Sequence, residues 1–406
     1  MPHVHRAAWV LPIDSPPIRD GWVAVAGDRV VAVGDRGQTP LSDSSPLDGS
    51  AVERRTSEDR RVILPGLTNA HTHLELSWMR GSVPAADTMP AWAARLIGVR
   101  RAAGGDRDDA IGDAIREARA AGTTLVGDVT NTLASYGPLS NSPLSAAVFF
   151  ELIGFRSPDA GALVMQSQSR LDALPRHPRV RAVIVPHAPY SVSPDLFRAI
   201  ALASADRPVS VHLGESLDEI RFLQHGTGAW RELLASVNAW DDGWAAPRCG
   251  PVEYLERLGL LNERLIAVHA VQLTDDELRR LANANATIVT CPRSNAWTGA
   301  GEPPVARFYA AGVRVAIGTD SLASADDLNL FAEMAAVRRS APSVAASEIL
   351  KSATLHGARA LGFDADLGTV APGKRAELIA VRIPADVEDV EEYLVSGVRP
   401  SDVSWL

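Results

Sequence analysis

Eight short apolar runs rich in β-branched residues alternate with helical stretches between residues 61 and 360, and this alternation constrains the fold more than any other feature. The runs are Val62–Leu67, Thr123–Val129, Ala146–Ile153, Arg181–Pro186, Pro208–Leu213, Leu265–Ala270, Ala286–Cys291 and Val313–Gly318. Parallel strands need long crossovers, normally helical, and the intervening segments read as helices. Asp108–Ala121 is rich in Ala, Arg and Asp, Ser193-Pro194 supplies a cap and a first-turn proline, and Thr274 with Glu277 spells a capping box. Eight strands is the count that closes a parallel (β/α)8 barrel. The competing open, doubly wound sheet often carries a glycine-rich phosphate loop, and neither GxGxxG nor GxxxxGK[ST] occurs.

Both ends of the chain have a different grammar. Trp22–Val25, Gly27-Asp28 and Val30–Val33 read as two strands joined by a tight turn, and Leu367–Gly373, Ala376–Val381 and Tyr393–Val398 repeat strand and turn signals. Neither end alone has enough strands to cover an apolar face, so the two are expected to pair into one small β-sandwich. The expected division is residues 1–64 and 363–406 in the sandwich and 65–362 in the barrel. Residues 36–60, rich in Ser, Pro, Asp, Glu and Arg without a period, read as an exposed loop. The long segment Gly226–Leu261, with Trp230, Trp240 and Trp244, is a candidate for shaping substrate access at a barrel's C-terminal face.

Composition excludes several classes of function. The net charge of -9 gives no basic field for a nucleic acid polymer. Without a leader-like segment or a run of some 20 apolar residues, a cytoplasmic protein away from membranes is expected. Cys249 and Cys291 stand far apart without a partner motif and read as buried thiols.

The polar residues at the ends of the runs carry the chemistry. His71 and His73 follow the first run; in extended backbone their side chains leave on the same side and can converge on one ion. Two ligands are too few for a metal site. His187, His212, His269 and Asp320, however, all fall at or just past the C-terminal ends of later runs, which a closed barrel gathers on one rim. His71, His73, His212 and Asp320 make a plausible shell for Zn²⁺ or Fe²⁺ with a position left for water. Glu215, three residues past His212, can face the site without being a ligand and cycle a proton between water and a ring nitrogen. His269 could hydrogen-bond or polarise the water, and Asp320 could accept its proton. Two-metal barrels of this kind often bridge their ions with a carboxylated lysine. Only Lys351 and Lys374 occur, so one divalent ion is expected, with Zn²⁺ ahead of Fe²⁺.

The fragments PGLTNAHTH, HAPYSVS at His187, HLGES, AVHAV, CPRSN and GTDSLAS, in this order and with LGTVAPGKRAEL after them, resemble the amidohydrolase superfamily. Within it they resemble the branch of cytosine, guanine and adenosine-type deaminases and related chlorohydrolases. The resemblance implies that His71, His73, His212 and Asp320 bind metal, Glu215 shuttles the proton, His269 positions the water and His187 contacts substrate. NAHTHLELS, HLGESLDEIRFL, CPRSNAW and GTDSLAS look like the aminodeoxyfutalosine deaminases of menaquinone biosynthesis. In the methylthioadenosine and adenosylhomocysteine deaminases a glutamate is expected where this chain has Asp87, ahead of Trp92. The resemblance implies deamination of an adenine ring by metal-activated water. Deamination of adenosine, adenosylhomocysteine or another heterocycle, or dechlorination, is the alternative on the same site. The benzoate of aminodeoxyfutalosine calls for a cation, with Arg293, Arg80 and Arg156 as candidates, and Glu75 is a candidate substrate contact. A homodimer acting on a small purine nucleoside-like molecule is the expected assembly.

Overall fold

The computed structural model describes residues 2–38, 60–103, 108–204 and 206–406. The run 36–60 therefore lies, from 39 to 59, outside the described residues. Eight parallel strands form the barrel: Leu67–Thr72 (β1), Thr123–Thr130 (β2), Ser145–Leu152 (β3), Val180–Pro186 (β4), Val209–Leu213 (β5), Leu265–His269 (β6), Thr287–Thr290 (β7) and Arg314–Ile317 (β8). They pair in order as two four-stranded sheets, β1 to β4 and β5 to β8. Every residue of β2 and β3 is buried, as expected for parallel strands covered by helices outside and side chains inside. The seams between the two sheets close at their C-terminal ends. The His212 N–H donates to His187 O at 2.9 Å, and the Asp320 N–H donates to His71 O at 3.1 Å.

The helical signals act as read. Ser193 accepts the Leu196 N–H at the start of Pro194–Ala203, and Thr274 and Glu277 form a reciprocal capping box on Asp275–Asn283. Two readings are corrected. The first run, Val62–Leu67, is not one barrel strand but divides at Gly66: Arg61–Pro65 pairs antiparallel with Leu378–Arg382, and β1 begins at Leu67. A Cβ at Gly66 would stand 2.7 Å from Thr124 Cβ and 3.0 Å from the Trp405 ring, so a glycine lets the chain cross there. Tyr393–Val398 is not a strand either. Asp389 accepts the Glu392 N–H at 2.9 Å and caps the helix Val390–Val395, which stops before Gly397 at φ +116°; the last strand is Val403–Trp405.

Strands from both ends share one five-stranded sheet, in the order Val403–Trp405, Leu378–Arg382, Arg61–Pro65, Trp9–Val10, Ile18–Arg19. The hairpin Trp22–Ala26 and Arg29–Gly34, with His3–Arg6, forms a second sheet. Val10, Ile63 and Leu378 of the first sheet pack with Val23 and Val30 of the second, which gives the small sandwich its core. No helix among the described residues is long and apolar enough to cross a membrane.

Candidate active site

Barrel closure brings three imidazoles together. His71 ends near the tip of β1, His73 lies just past it and His212 belongs to β5; one ring nitrogen from each lies within 4.8 Å of the others. Asp320 Oδ1 is 3.8 Å from His71 Nε2 and 3.6 Å from His73 Nε2. Its other oxygen accepts a hydrogen bond from Ser294 Oγ at 2.5 Å, which turns Oδ1 toward the imidazoles. His71 is completely buried and neither of its ring nitrogens has a hydrogen-bond partner. Burial and then the neighbouring histidines push its pKa well down, so the ring is a neutral lone-pair donor. The His212 Nδ1 lies 3.2 Å from His187 O; a carbonyl only accepts, so Nδ1 carries the proton and the Nε2 lone pair is left for coordination. An orphaned buried imidazole, a fixed tautomer and one oriented carboxylate fit a divalent ion.

Glu215, His269 and His187 stand beside this set. Glu215, at the turn after β5, is 1% exposed; its Oε1 lies 3.6 Å from His269 Nε2, and its Oε2 has no partner. Burial, reinforced by the charges of Asp320 and Glu219, holds its pKa well above the usual carboxylate range. Burial lowers His269 to about 4 against the pull of Asp320. The Asn295 amide N–H donates to His269 Nδ1 at 3.0 Å, which leaves Nε2 as the N–H facing Glu215. Burial would raise the Asp320 pKa, but His73, His269 and the Ser294 hydroxyl outweigh it and hold it below the ordinary value. His187, after β4, hydrogen-bonds Ser191 Oγ through Nδ1 at 2.5 Å, and its ring centroid is 4.8 Å from that of His212. Burial brings its pKa to about 3.

An aromatic cluster adjoins these groups. Tyr190 stacks on Trp230 at 3.7 Å, and Phe155 and Phe222 pack against Trp240 and Trp244. The segment Gly226–Leu261 thus supplies one wall of an apolar cluster that also holds Leu76, Met79, Trp92 and Ala323.

Two of the expected substrate contacts, Glu75 and Arg293, have partners within the protein. Glu75 is 1% exposed and engaged by the loop after β2: it accepts from Thr130 Oγ1 at 2.6 Å, Asn131 N at 2.9 Å and Thr132 Oγ1 at 2.8 Å. Arg293 pairs with Asp327 at 2.6 Å, before the helix Leu330–Ser340, and lies 3.6 Å from Glu333 within that helix. Arg80 is likewise paired, with Glu117. Arg156 is exposed on the loop after β3 and, among the described residues, forms no ion pair.

The sequence reading passed over other polar groups here. Ser294 and Asn295 lie in the CPRSN fragment, where no periodicity distinguishes them. Asp128 and Glu151 are buried acids near the C-terminal ends of β2 and β3, the same signal that picked out the histidines. Glu151 Oε1 lies 3.5 Å from His212 Nδ1, and with His187 and His212 it forms a second group that could hold an ion.

Comparison with known proteins agrees with this geometry. The chain is 31% identical to the 5-methylthioadenosine/S-adenosylhomocysteine deaminase of Moorella thermoacetica, over 98% of this chain and 90% of that one. It is 31% identical to the aminodeoxyfutalosine deaminase of Deinococcus radiodurans, over 84% and 81%. The zinc-bound structure of an adenosine deaminase from Xanthomonas campestris superposes with a TM-score of 0.78 at 27% identity, covering 98% and 90%. The profile of the Amidohydrolase family matches residues 62–398, and the chain belongs to that family.

Proposed function

We propose that this chain is a metal-dependent deaminase of an adenine nucleoside, with 6-amino-6-deoxyfutalosine as its substrate and futalosine and ammonia as products. The observation that carries the deaminase reading is Glu215: a buried carboxyl with one unpartnered oxygen, 3.6 Å from His269 Nε2 and beside three imidazoles that fit one ion. His71, His73, His212 and Asp320 Oδ1 would hold that ion. When bound, it supplies the positive charge that makes water acidic enough to attack at neutral pH; the zinc of the Xanthomonas relative favours Zn²⁺.

The remaining chemistry belongs to the chain. Glu215, kept protonated by burial, donates its proton to ring N1 as the water oxygen bonds to C6. The His269 Nε2–H holds the incoming oxygen. Asp320 takes one water proton and passes it to the amino group, the C6–N bond breaks and ammonia leaves, and the remaining hydroxyl proton returns to the Glu215 carboxylate as the C6 carbonyl forms. His187 and the aromatic cluster hold the ring and exclude bulk water.

The NAHTHLELS and HLGESLDEIRFL fragments and the aspartate at Asp87 support aminodeoxyfutalosine over the thioether nucleosides. Arg156, exposed after β3 and next to Phe155 of the aromatic cluster, is the arginine best placed in sequence to meet the benzoate. A second reading, 5-methylthioadenosine or S-adenosylhomocysteine deamination, is favoured by the identity to the Moorella enzyme. Steady-state assays with aminodeoxyfutalosine, 5-methylthioadenosine, S-adenosylhomocysteine and adenosine decide between them. Aminodeoxyfutalosine is expected to give the largest kcat/KM; a tenfold advantage for any other nucleoside overturns the assignment.

A further inference from the structure

The turn that presents Glu215 is held by a second buried carboxylate. The Gly214 N–H donates to Glu219 Oε1 at 2.9 Å and the Glu215 N–H donates to Glu219 Oε2 at 3.0 Å, so the two oxygens hold the N–H groups of two successive peptides. Glu219 is completely buried, in the first turn of the helix Leu217–His225, and among the described residues no Arg, Lys or His pairs with it. A buried carboxylate without a cation is costly, and two backbone N–H donors are what compensate it.

The same chain shows what this signature does elsewhere. In Thr274-Asp-Asp-Glu277 the glutamate returns to the N–H of its own cap, Thr274, at 3.0 Å, and closes an ordinary capping box. In Ser216-Leu-Asp-Glu219 the cap half is alike, with Ser216 Oγ accepting the Glu219 N–H at 3.3 Å. The glutamate, however, reaches past its cap to the two residues before it. The cap geometry is thereby diverted to the turn that bears the proton-transfer group.

The other side of that turn is pinned as well. The Ala270 N–H donates to Leu213 O at 3.1 Å and the Gln272 N–H to Gly214 O at 2.8 Å, joining it to the end of β6 that carries His269. Gly214 sits at φ +60°, and a Cβ there would stand 2.4 Å from Leu273 Cδ2. Glu219 is the side chain that completes this frame.

We propose that Glu219 is a positioning residue: its carboxylate fixes the two successive peptides at Gly214 and Glu215 so that Glu215 faces His269 and the reacting ring. The inference rests on Glu215 being the proton shuttle. In Glu219→Gln one oxygen still accepts, but the amide NH2 cannot, so one of the two N–H groups loses its partner. The expected result is a kcat 10- to 100-fold lower with KM within threefold and metal content unchanged, because the ligand shell and the aromatic cluster are untouched. Glu277→Gln, which opens the ordinary box, is the control and should lose thermal stability with kcat unchanged. In the double variant Glu215→Gln/Glu219→Gln the second substitution should add nothing, since its effect passes through a carboxyl already removed. A Glu219→Gln enzyme with wild-type kcat overturns the proposal, as does a loss of kcat that Glu277→Gln reproduces at equal loss of stability, or one that persists undiminished in the Glu215→Gln background. Should Glu219→Gln fail to fold, Glu219→Asp, with both oxygens on a shorter stem, is expected to lower kcat alone, and wild-type kcat in it overturns the proposal. The kinetics use whichever nucleoside the wild type turns over best. A wild type that deaminates none sinks the functional reading and this inference together, whereas an active wild type with an indifferent Glu219→Gln sinks only the inference.

Discussion

His269 and Asp320 hold backbone angles that side chains rarely adopt, φ +73° and +57°. Such conformations cost on the order of 1–3 kcal/mol each and persist where the surroundings over-determine them. Here the surroundings are visible: the Asp320 N–H closes the barrel seam on His71 O, and the bend at His269 and Ala270 lets the next residues bond the turn before Glu215. With these angles His269 presents Nε2 3.6 Å from Glu215 Oε1, and Asp320 presents Oδ1 within 3.8 Å of His71 and His73. Replacing Glu215 by Gln leaves the shape but removes the transferable proton, so kcat should fall by roughly 10²- to 10⁴-fold. Metal content, read by elemental analysis, should stay at the wild-type value, because Glu215 is outside the group of His71, His73 and His212. Loss of the ion would make Glu215 a ligand, and surviving activity would end its acid–base role. At this scale the histidines were legible in the sequence because each stands at the end of an apolar run. The partners of Glu75 and Arg293 were not legible, because Thr130 and Asp327 lie 55 and 34 residues away and only the closed fold brings them together.

The elements pack closely where β8 closes on β1. Gly318, one residue past β8, is packed so that a Cβ would lie 2.7 Å from His71 O, 2.9 Å from His71 Cβ and 3.0 Å from Cys291 Sγ. Two of those atoms belong to a proposed ligand, and its carbonyl is the acceptor that closes the seam. Gly318→Ala must therefore displace His71 or open the seam, at an overpacking cost of about 1–3 kcal/mol. We expect a lowered urea midpoint together with reduced metal content; a variant that is destabilised yet fully metallated would show that the seam yields on the Cys291 side. Strand identity was largely readable, because runs buried on both faces need a continuous apolar pattern. The division at Gly66 was not readable, since Val62–Leu67 is equally apolar whether it enters the sandwich or the barrel, and only the pairing of Arg61–Pro65 with Leu378–Arg382 separates them. The helix at Val390–Val395 was missed because Tyr393–Val398 carries strand and turn signals, while in the structure the Asp389 side chain caps a helix.

Across the whole molecule the barrel encloses ionisable groups of both kinds, and they make the metal-free protein respond to pH in a definite direction. Burial raises Asp128 to about 7 and Glu333 to about 8, whereas unfolded carboxyls titrate near 4. Between about pH 4 and 7–8 the native state therefore holds protons that the unfolded state has released, and these acids make stability fall as pH rises. The buried imidazoles act oppositely. Burial lowers His187 to about 3 and His269 to about 4, and pushes His71 and His212 well down, against about 6.5 unfolded. Below about pH 6.5 the unfolded chain binds protons that these rings refuse, so they make stability fall as pH drops. The two sets oppose each other below about 6.5, and above it only the acids remain. In the presence of a chelator the thermal midpoint should therefore decline from pH 6.5 to 8.5, as followed by scanning calorimetry. Glu333→Gln should flatten the part of that decline near pH 8, because the amide has no proton to release. A midpoint that climbs steadily through this range would mean that the buried carboxyls are ionised in the native state, each stabilised by its hydrogen-bond donors more strongly than burial penalises it.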